Sequence, residues 1–324
     1  MYTSDQLLLR VKSALSEVKL DNQPNELYKP ISYTLDLGGK RIRPVMVLLA
    51  CDLFGGDIEK AINSAIAIEI FHNFTLLHDD IMDNAPIRRG KETVFKKWNS
   101  NVAILSGDTM FAIAYKHLAL SDRKVLQDVL EIFTQAAIEV CEGQQYDMNF
   151  ESRNDVTIPE YIEMIRLKTS VLIAASLKTG AVIGGASEKD IENIYRFGEY
   201  VGLAFQLQDD LLDVFGEQKK FGKQIGGDIV TNKKTYLYIK ALEEANDNDL
   251  NKLIHYFSST SFENREKISA VTSIYTKLGV RESTTQLLRD YYNKALEHYS
   301  AISIDSSRKT ILKIYSHQLI NRDF

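Results

Sequence analysis

Asp79, Asp80 and Asp83 form one carboxylate cluster, DDIMD, and Asp209, Asp210 and Asp213 form a second, DDLLD. On a helix of 3.6 residues per turn the first and last aspartates of each cluster stack on one face, an arrangement suited to gripping a hard cation. Two such grips suggest magnesium and a polyphosphate. Taken alone, the first cluster fits a solvated acidic helix end better, because short acidic helix ends are common. The second fits that reading less well. Gln206, Asp209, Asp210 and Asp213 fall at i, i+3, i+4 and i+7, and residues 200–207 are too apolar for a surface helix. Charges emerging from a buried element need pairing or a metal.

Cations complete the chemistry of a diphosphate. Residues 38–44, GGKRIRP, put Lys40, Arg41 and Arg43 after a glycine pair, where the backbone can turn tightly toward an anion. Arg88-Arg89-Gly90 follows the first cluster closely, so guanidiniums crowd beside carboxylates, which an anion between them would explain. Lys168-Thr169, Lys223 and Lys233-Lys234 extend the basic set, although a lone lysine is often just solvated. On residues 61–84 a core stripe of Ile62, Ile66, Ile70, Phe74, Leu77 and Ile81 runs beside a polar track of His72, Thr75, Asp79 and Asp83. His72 and His78 also fit ordinary half-buried histidines.

The elements that must hold these groups read as helices. Apolar residues recur at helical spacing along nearly every long segment, with no sustained period-two alternation. Pro24, Pro30, Pro44, Pro86 and Pro159 fall where helices begin or break; Gly55-Gly56, Gly184-Gly185, Gly226-Gly227 and Gly279 mark stops. The expected fold is all-α, a single large helical bundle around a central cavity, with residues 1–324 forming one domain because no Pro/Gly/Ser-rich linker divides them. With 324 residues, 44% of them apolar, the chain can bury a large core. A net charge of −5 argues against bulk nucleic-acid binding. Cys51 and Cys141 lie in apolar helical surroundings without metal-like spacing, as in a reduced intracellular protein. The first residues do not resemble a signal peptide, and the longest apolar run, residues 45–51, is far short of the roughly 20 residues of a membrane span. A cytoplasmic protein with no membrane span is expected.

In order and spacing, the motifs GGKRIRP, HNFTLLHDDIMD, RRG, GQQYD, KT, FQLQDDLLD and FGKQIGGDIVTNKKT resemble those of the trans-isoprenyl diphosphate synthases, or polyprenyl synthetases, over about residues 28–235. That resemblance implies two or three magnesium ions per site, held by Asp79, Asp80 and Asp83 on one wall and by Asp209 and Asp210 on the other, with Asp213 further out. It implies that Lys40, Arg43, His72 and Arg89 bind isopentenyl diphosphate. Arg88, Lys168, Thr169, Gln206, Lys223 and Lys233 would contact the allylic diphosphate, and Gln144 and Asp147 would line the reacting region. A homodimer is also implied. Asn232 departs from the pattern, standing where many members have glycine, which puts the local loop conformation in question.

By the same resemblance Phe74 and Thr75, just before the first cluster, form the floor that limits the growing prenyl tail, although Phe74 also fits a plain core position. One aromatic with a small neighbour is similar to geranylgeranyl diphosphate synthases, so a twenty-carbon product is expected, with farnesyl diphosphate or longer chains as the alternatives. A terpene cyclase would carry a different second metal motif and need no Lys40 or Arg43. A noncatalytic partner subunit commonly loses an aspartate cluster, and both are whole. A dimetal oxidase would want paired Glu and His at i, i+3, which do not appear twice. The residues after Lys240 offer amphipathic helices and no usable motif.

Overall fold

The computed structural model describes residues 1–216, 226–258 and 262–320. Its helices are α1 (Ser4–Ser16), α2 (Asn25–Asp36), α3 (Ile42–Leu53), α4 (Ile58–Met82), α5 (Val94–Lys97), α6 (Ser100–Leu118), α7 (Leu126–Glu151), α8 (Ile158–Ile165), α9 (Val171–Ile183) and α10 (Glu188–Phe215). They continue with α11 (Gly227–Val230), α12 (Tyr236–Glu244), α13 (Asp247–Ser258), α14 (Asn264–Lys277), α15 (Val280–Ala301) and α16 (Ser306–Ile320). A π-helical turn, Arg166–Ser170, joins α8 to α9. Among the described residues the only strands are the two-residue β1 (Ile87–Arg88) and β2 (Lys91–Glu92), so the expected all-α class holds. No described helix is long and apolar enough to cross a membrane.

The chain divides into two compact units, one of Met1–Gln135, Ala175–Tyr195 and Ile302–Tyr315, the other of Ala136–Ala174, Arg196–Ala301 and Ser316–Phe324. In the first, α4 packs against α3 and α6. Ala65 through Phe71 are consecutively buried, so this stretch of the helix is enclosed on all sides, with Glu69 the acidic group inside it. The side chain of Asp57 starts α4 by accepting the Glu59 N–H, and Asn99 starts α6 by accepting that of Val102. In the second unit α12 packs against α8, α14 and α15. A capping box between Thr157 and Glu160 fixes the start of α8.

Three expectations are corrected. Pro30 lies inside α2 rather than at its edge, buried on the core side, and Thr34 bonds its carbonyl at 2.9 Å. Gly226 and Gly227 begin α11 instead of ending a helix. Cys51 is buried, which pushes its thiol up to about 12, but Cys141 is exposed because it falls on the outer side of α7.

Candidate active site

The glycine-rich loop and the arginines around it split into two jobs. Arg41 turns inward in a left-handed conformation (φ 50°), and its guanidinium bonds the buried Glu69 carboxylate and the Leu35 carbonyl. Asn73 donates to the same carboxylate at 2.9 Å. Arg41 is thereby occupied in anchoring the loop, while Lys40 on the exposed side and Arg43 on the first turn of α3 remain near the surface of this unit. Arg43 donates to His72 Nε2 at 3.2 Å. A guanidinium has no acceptor, so Nε2 accepts and the His72 proton sits on Nδ1. Burial first, and then Arg43, Arg89, Arg88 and Arg41, hold the imidazole well below its ordinary value. His72 is therefore neutral within a field of four guanidiniums, a setting that favours an anion.

Arg88 and Arg89 are neighbours in sequence and point to different tasks because Arg88 ends a strand and Arg89 opens the turn. Ile87 pairs with Glu92 and Arg88 with Lys91, leaving Arg89 and Gly90 as a two-residue turn with φ of 53° and 76°. Two left-handed residues in succession are the requirement of a type I′ turn. Arg88 then reaches Asp80 at 2.6 Å and Asp79 at 3.3 Å. Arg89 bonds the Gly38 carbonyl, and its guanidinium lies where any side chain on Gly39 would be, 2.8 Å from a Cβ built there. Burial raises Asp80 to about 6 against the opposing pull of Arg88, with Asp79 and Asp83 adding to the rise. Asp83 closes α4, and Asn84 leaves it in the left-handed conformation (φ 49°).

The second cluster is built differently. Asp210 is 3% exposed and accepts hydrogen bonds from the Tyr161 hydroxyl and from Gln206 at 3.1 Å. Burial first, then Asp228, push its carboxyl well above the ordinary value, and Asp209 adds to the rise. Gln206 in turn accepts the Thr169 hydroxyl at 3.0 Å. Lys168 pairs with Asp147 at 2.6 Å, and Lys233 lies 4.0 Å from the same carboxylate. Asp213 accepts the Asp228 N–H at 3.0 Å, so part of its carboxylate is committed to holding the start of α11. Gln144 is half-buried, and its amide nitrogen has no hydrogen-bond partner among the described residues.

Lys168 and Thr169 sit on the π turn, where an extra residue per turn displaces side chains from the helical stripe. The turn is wedged between α7 and α10. A Cβ on Gly143 would meet the Lys168 backbone nitrogen at 2.3 Å, and one on Gly202 would meet Ser170 at 2.6 Å. Neither the π turn nor Tyr161 was readable from periodicity. The glycine of GQQYD was a visible signal, since a glycine inside a helix usually marks a close approach.

Phe74 stacks on Phe111 with centroids 5.3 Å apart and meets Phe71 at 5.6 Å, while the Thr75 hydroxyl bonds the His72 carbonyl at 2.8 Å. Both are half-buried. The first unit thus brings together Lys40, Arg43, His72, Phe74, Thr75, Asp79, Asp80, Asp83, Arg88 and Arg89. The second holds Gln144, Asp147, Lys168, Thr169, Gln206, Asp209, Asp210, Asp213 and Lys233. Lys223 lies outside the described residues. Among those described, no three His, Cys, Asp or Glu groups converge into a complete metal cage.

A family model described as polyprenyl synthetase matches residues 24–275. The short chain isoprenyl diphosphate synthase of Methanothermobacter thermautotrophicus is 36% identical over 306 residues, 94% of this chain and 92% of its own. The geranylgeranyl diphosphate synthase of Methanosarcina mazei is 35% identical over 316 residues, 97% of this chain and 95% of its own. A crystal structure of a geranylgeranyl pyrophosphate synthase matches with a TM-score of 0.93 at 44% identity, covering 100% of each chain.

Proposed function

The chain belongs to the polyprenyl synthetase family, and we propose from that premise a short-chain prenyltransferase that joins isopentenyl diphosphate to an allylic diphosphate, with a twenty-carbon product. The observation that carries this reading is the charge at the end of α4. Four guanidiniums surround a neutral His72, one of them bridging to Asp79 and Asp80, so an anion site adjoins a cation site within one unit.

In this reading Lys40, Arg43, His72 and Arg89 hold isopentenyl diphosphate, and Arg88, Lys168, Thr169, Gln206, Lys223 and Lys233 hold the allylic diphosphate. Asp79, Asp80 and Asp83, with Asp209 and Asp210, are the magnesium ligands, and Asp213 supports from behind. The donor set fits that ion: all are hard oxygens, and the raised carboxyls of Asp80 and Asp210 mark places where added positive charge is favourable. Magnesium keeps waters and takes substrate phosphates as ligands, so it does not require a complete protein cage. When bound, two or three magnesium ions supply positive charge that neutralises the departing diphosphate.

The chain's residues do the rest by position and charge. The allylic carbon–oxygen bond breaks with its electron pair leaving on the diphosphate, whose charge Lys168 and Lys233 stabilise. The alkene of isopentenyl diphosphate, oriented by Arg43, His72 and Arg89, attacks the carbocation and forms the new carbon–carbon bond, and the resulting cation gives up a proton to the diphosphate that has left, restoring the alkene. Gln144 and Asp147 line the reacting region, and no protein nucleophile takes part.

The twenty-carbon product is supported by the names of the relatives and by Phe74, the single aromatic beside Thr75. A fifteen-carbon product is the next reading. We also read residues 1–324 as one catalytic domain, because the family match draws on both units, and the assembly as a cytoplasmic homodimer, which light scattering and fractionation would test. The decisive experiment incubates the protein with isopentenyl diphosphate, magnesium and each allylic primer in turn, then weighs the products. A C20 diphosphate is expected; no magnesium-dependent product from any primer overturns the assignment.

A further inference from the structure

Lys234 and Lys267 are two lysines of the second unit that the proposed reaction does not use, and both are buried, at 8% and 4% exposure. No carboxylate among the described residues pairs with either. Burial lowers both ammoniums, and the charge of Lys234 lowers Lys267 further. Two like charges buried side by side are unfavourable unless each has a specific partner. The partner they share is Asn232. The Lys267 ammonium donates to the Asn232 side-chain oxygen, and Lys234 donates to the Asn232 main-chain carbonyl at 3.3 Å. The Phe257 ring lies 5.2 Å from Lys267 and 5.4 Å from Lys234, adding a cation–π contact to each.

Asn232 is a non-glycine residue whose backbone takes a conformation that glycine adopts most readily. Its φ is 59°. Thr231 caps the end of α11, the Asn232 N–H bonds the Ile229 carbonyl at 3.2 Å, and the Lys233 N–H bonds the Asp228 carbonyl at 2.9 Å. Those two bonds define a Schellman motif, in which the residue after the cap must be left-handed and is usually glycine. Asparagine tolerates that conformation better than other side chains but does not prefer it as glycine does. The residue that follows is Lys233, whose ammonium lies 4.0 Å from Asp147.

We propose that Lys267, assisted by Lys234, is a positioning residue: it clamps Asn232 in the left-handed conformation and so aims Lys233 at the diphosphate. The inference rests on the proposed function for the role of Lys233. Lys267 does not touch substrate in this scheme. It replaces, by a hydrogen bond, the conformational freedom that a glycine would have brought.

The test is a double-mutant cycle of Lys267→Met and Asn232→Gly in the full chain, reading KM for the allylic diphosphate and kcat separately, with melting temperatures alongside. Lys267→Met alone should raise KM by about tenfold, as expected for a misaimed binding group. Asn232→Gly alone should stay near wild type, and in the Asn232→Gly background Lys267→Met should change KM less than twofold or so. An equal loss in both backgrounds overturns the proposal, because Lys267 would then act on its own charge or on the fold. A Lys267→Met protein with unaltered KM also overturns it. Calorimetric binding of magnesium pyrophosphate to the same four proteins separates the two claims. If wild type binds it but makes no prenyl product, the proposed function fails and the affinities still decide the clamp. If wild type does not bind it, the clamp fails as well.

Discussion

Asp80 meets a guanidinium, whereas Asp210, at the same place in an identical pattern, meets a tyrosine hydroxyl and an amide. The partner changes the charge state. Arg88 opposes the effect of burial and leaves Asp80 at about 6, while at Asp210 burial and the nearby Asp228 outweigh the hydrogen bonds from Tyr161 and Gln206 and leave it well above the ordinary carboxylate range. Asp79 and Asp80 of the first cluster share a guanidinium, and the buried Asp210 of the second is held by a hydroxyl and an amide. A cation therefore relieves more unfavourable energy at the second cluster, while the first is already paired with an arginine that the proposed reaction also needs.

The harshest way to break this comparison is to remove one ligand from each side. Asp79→Ala and Asp209→Ala should each lower magnesium-dependent turnover by about a thousandfold with the helical circular dichroism intact. Near-normal turnover in either would mean that only one cluster serves the reaction.

The surroundings differ in tolerance as well. A side chain on Gly39 would meet the movable tip of Arg89, but one on Gly143 would strike backbone at Lys168. Gly143→Ala should therefore destabilise the fold by about 2–3 kcal/mol in a denaturant titration and displace the π turn. An unchanged midpoint would show that the second cluster's scaffold is softer than the contacts imply.

Charge removal sharpens the contrast directly. The folded Asp80 titrates at about 6 against an ordinary 3.8, so the fold holds its proton more tightly than the unfolded chain does. Stability from this group is complete below the ordinary value and is lost as pH rises through the folded one. At pH near 7.5 without metal, Asp80→Asn should raise stability by about 1 kcal/mol after the weakened Arg88 pair is counted, and Asp210→Asn should raise it more. Both gains should shrink below about pH 4 and disappear against saturating magnesium. A larger gain from Asp80→Asn would reverse the ranking of the clusters.

The smallest expected loss of rate accompanies a change of product. Phe74 belongs to the aromatic group beside the first cluster, so Phe74→Ala should lengthen the product by about one isoprene unit with modest loss of rate. Gln206→Ala, beside the second, should slow turnover and leave product mass unchanged. Mass spectrometry of both reads the difference, and an unchanged product from Phe74→Ala would put the floor elsewhere.

The aspartate clusters, the amide above the second and the polar track ending in the first were legible because helical spacing is a local property. Four residues apart is one turn, wherever the helix lies. The all-α class followed from the same periodicity, and the family from the order of seven short motifs. What the spacing did not contain was the choice of partners. Arg41 and Arg43 look equivalent in GGKRIRP, yet Arg41 is taken by Glu69, 28 residues away. Arg88 and Arg89 diverge because Arg88 is paired in a strand and Arg89 is the first of two left-handed turn residues. Tyr161 reaches Asp210 from 49 residues away, and Lys267 reaches Asn232 from 35 residues away. The sequence alone determined which groups are present and which share a helical face. Tertiary structure decided which charges neutralise one another, because pairing depends on distances between segments remote along the chain, and it decided the burial that raises Asp80 and Asp210.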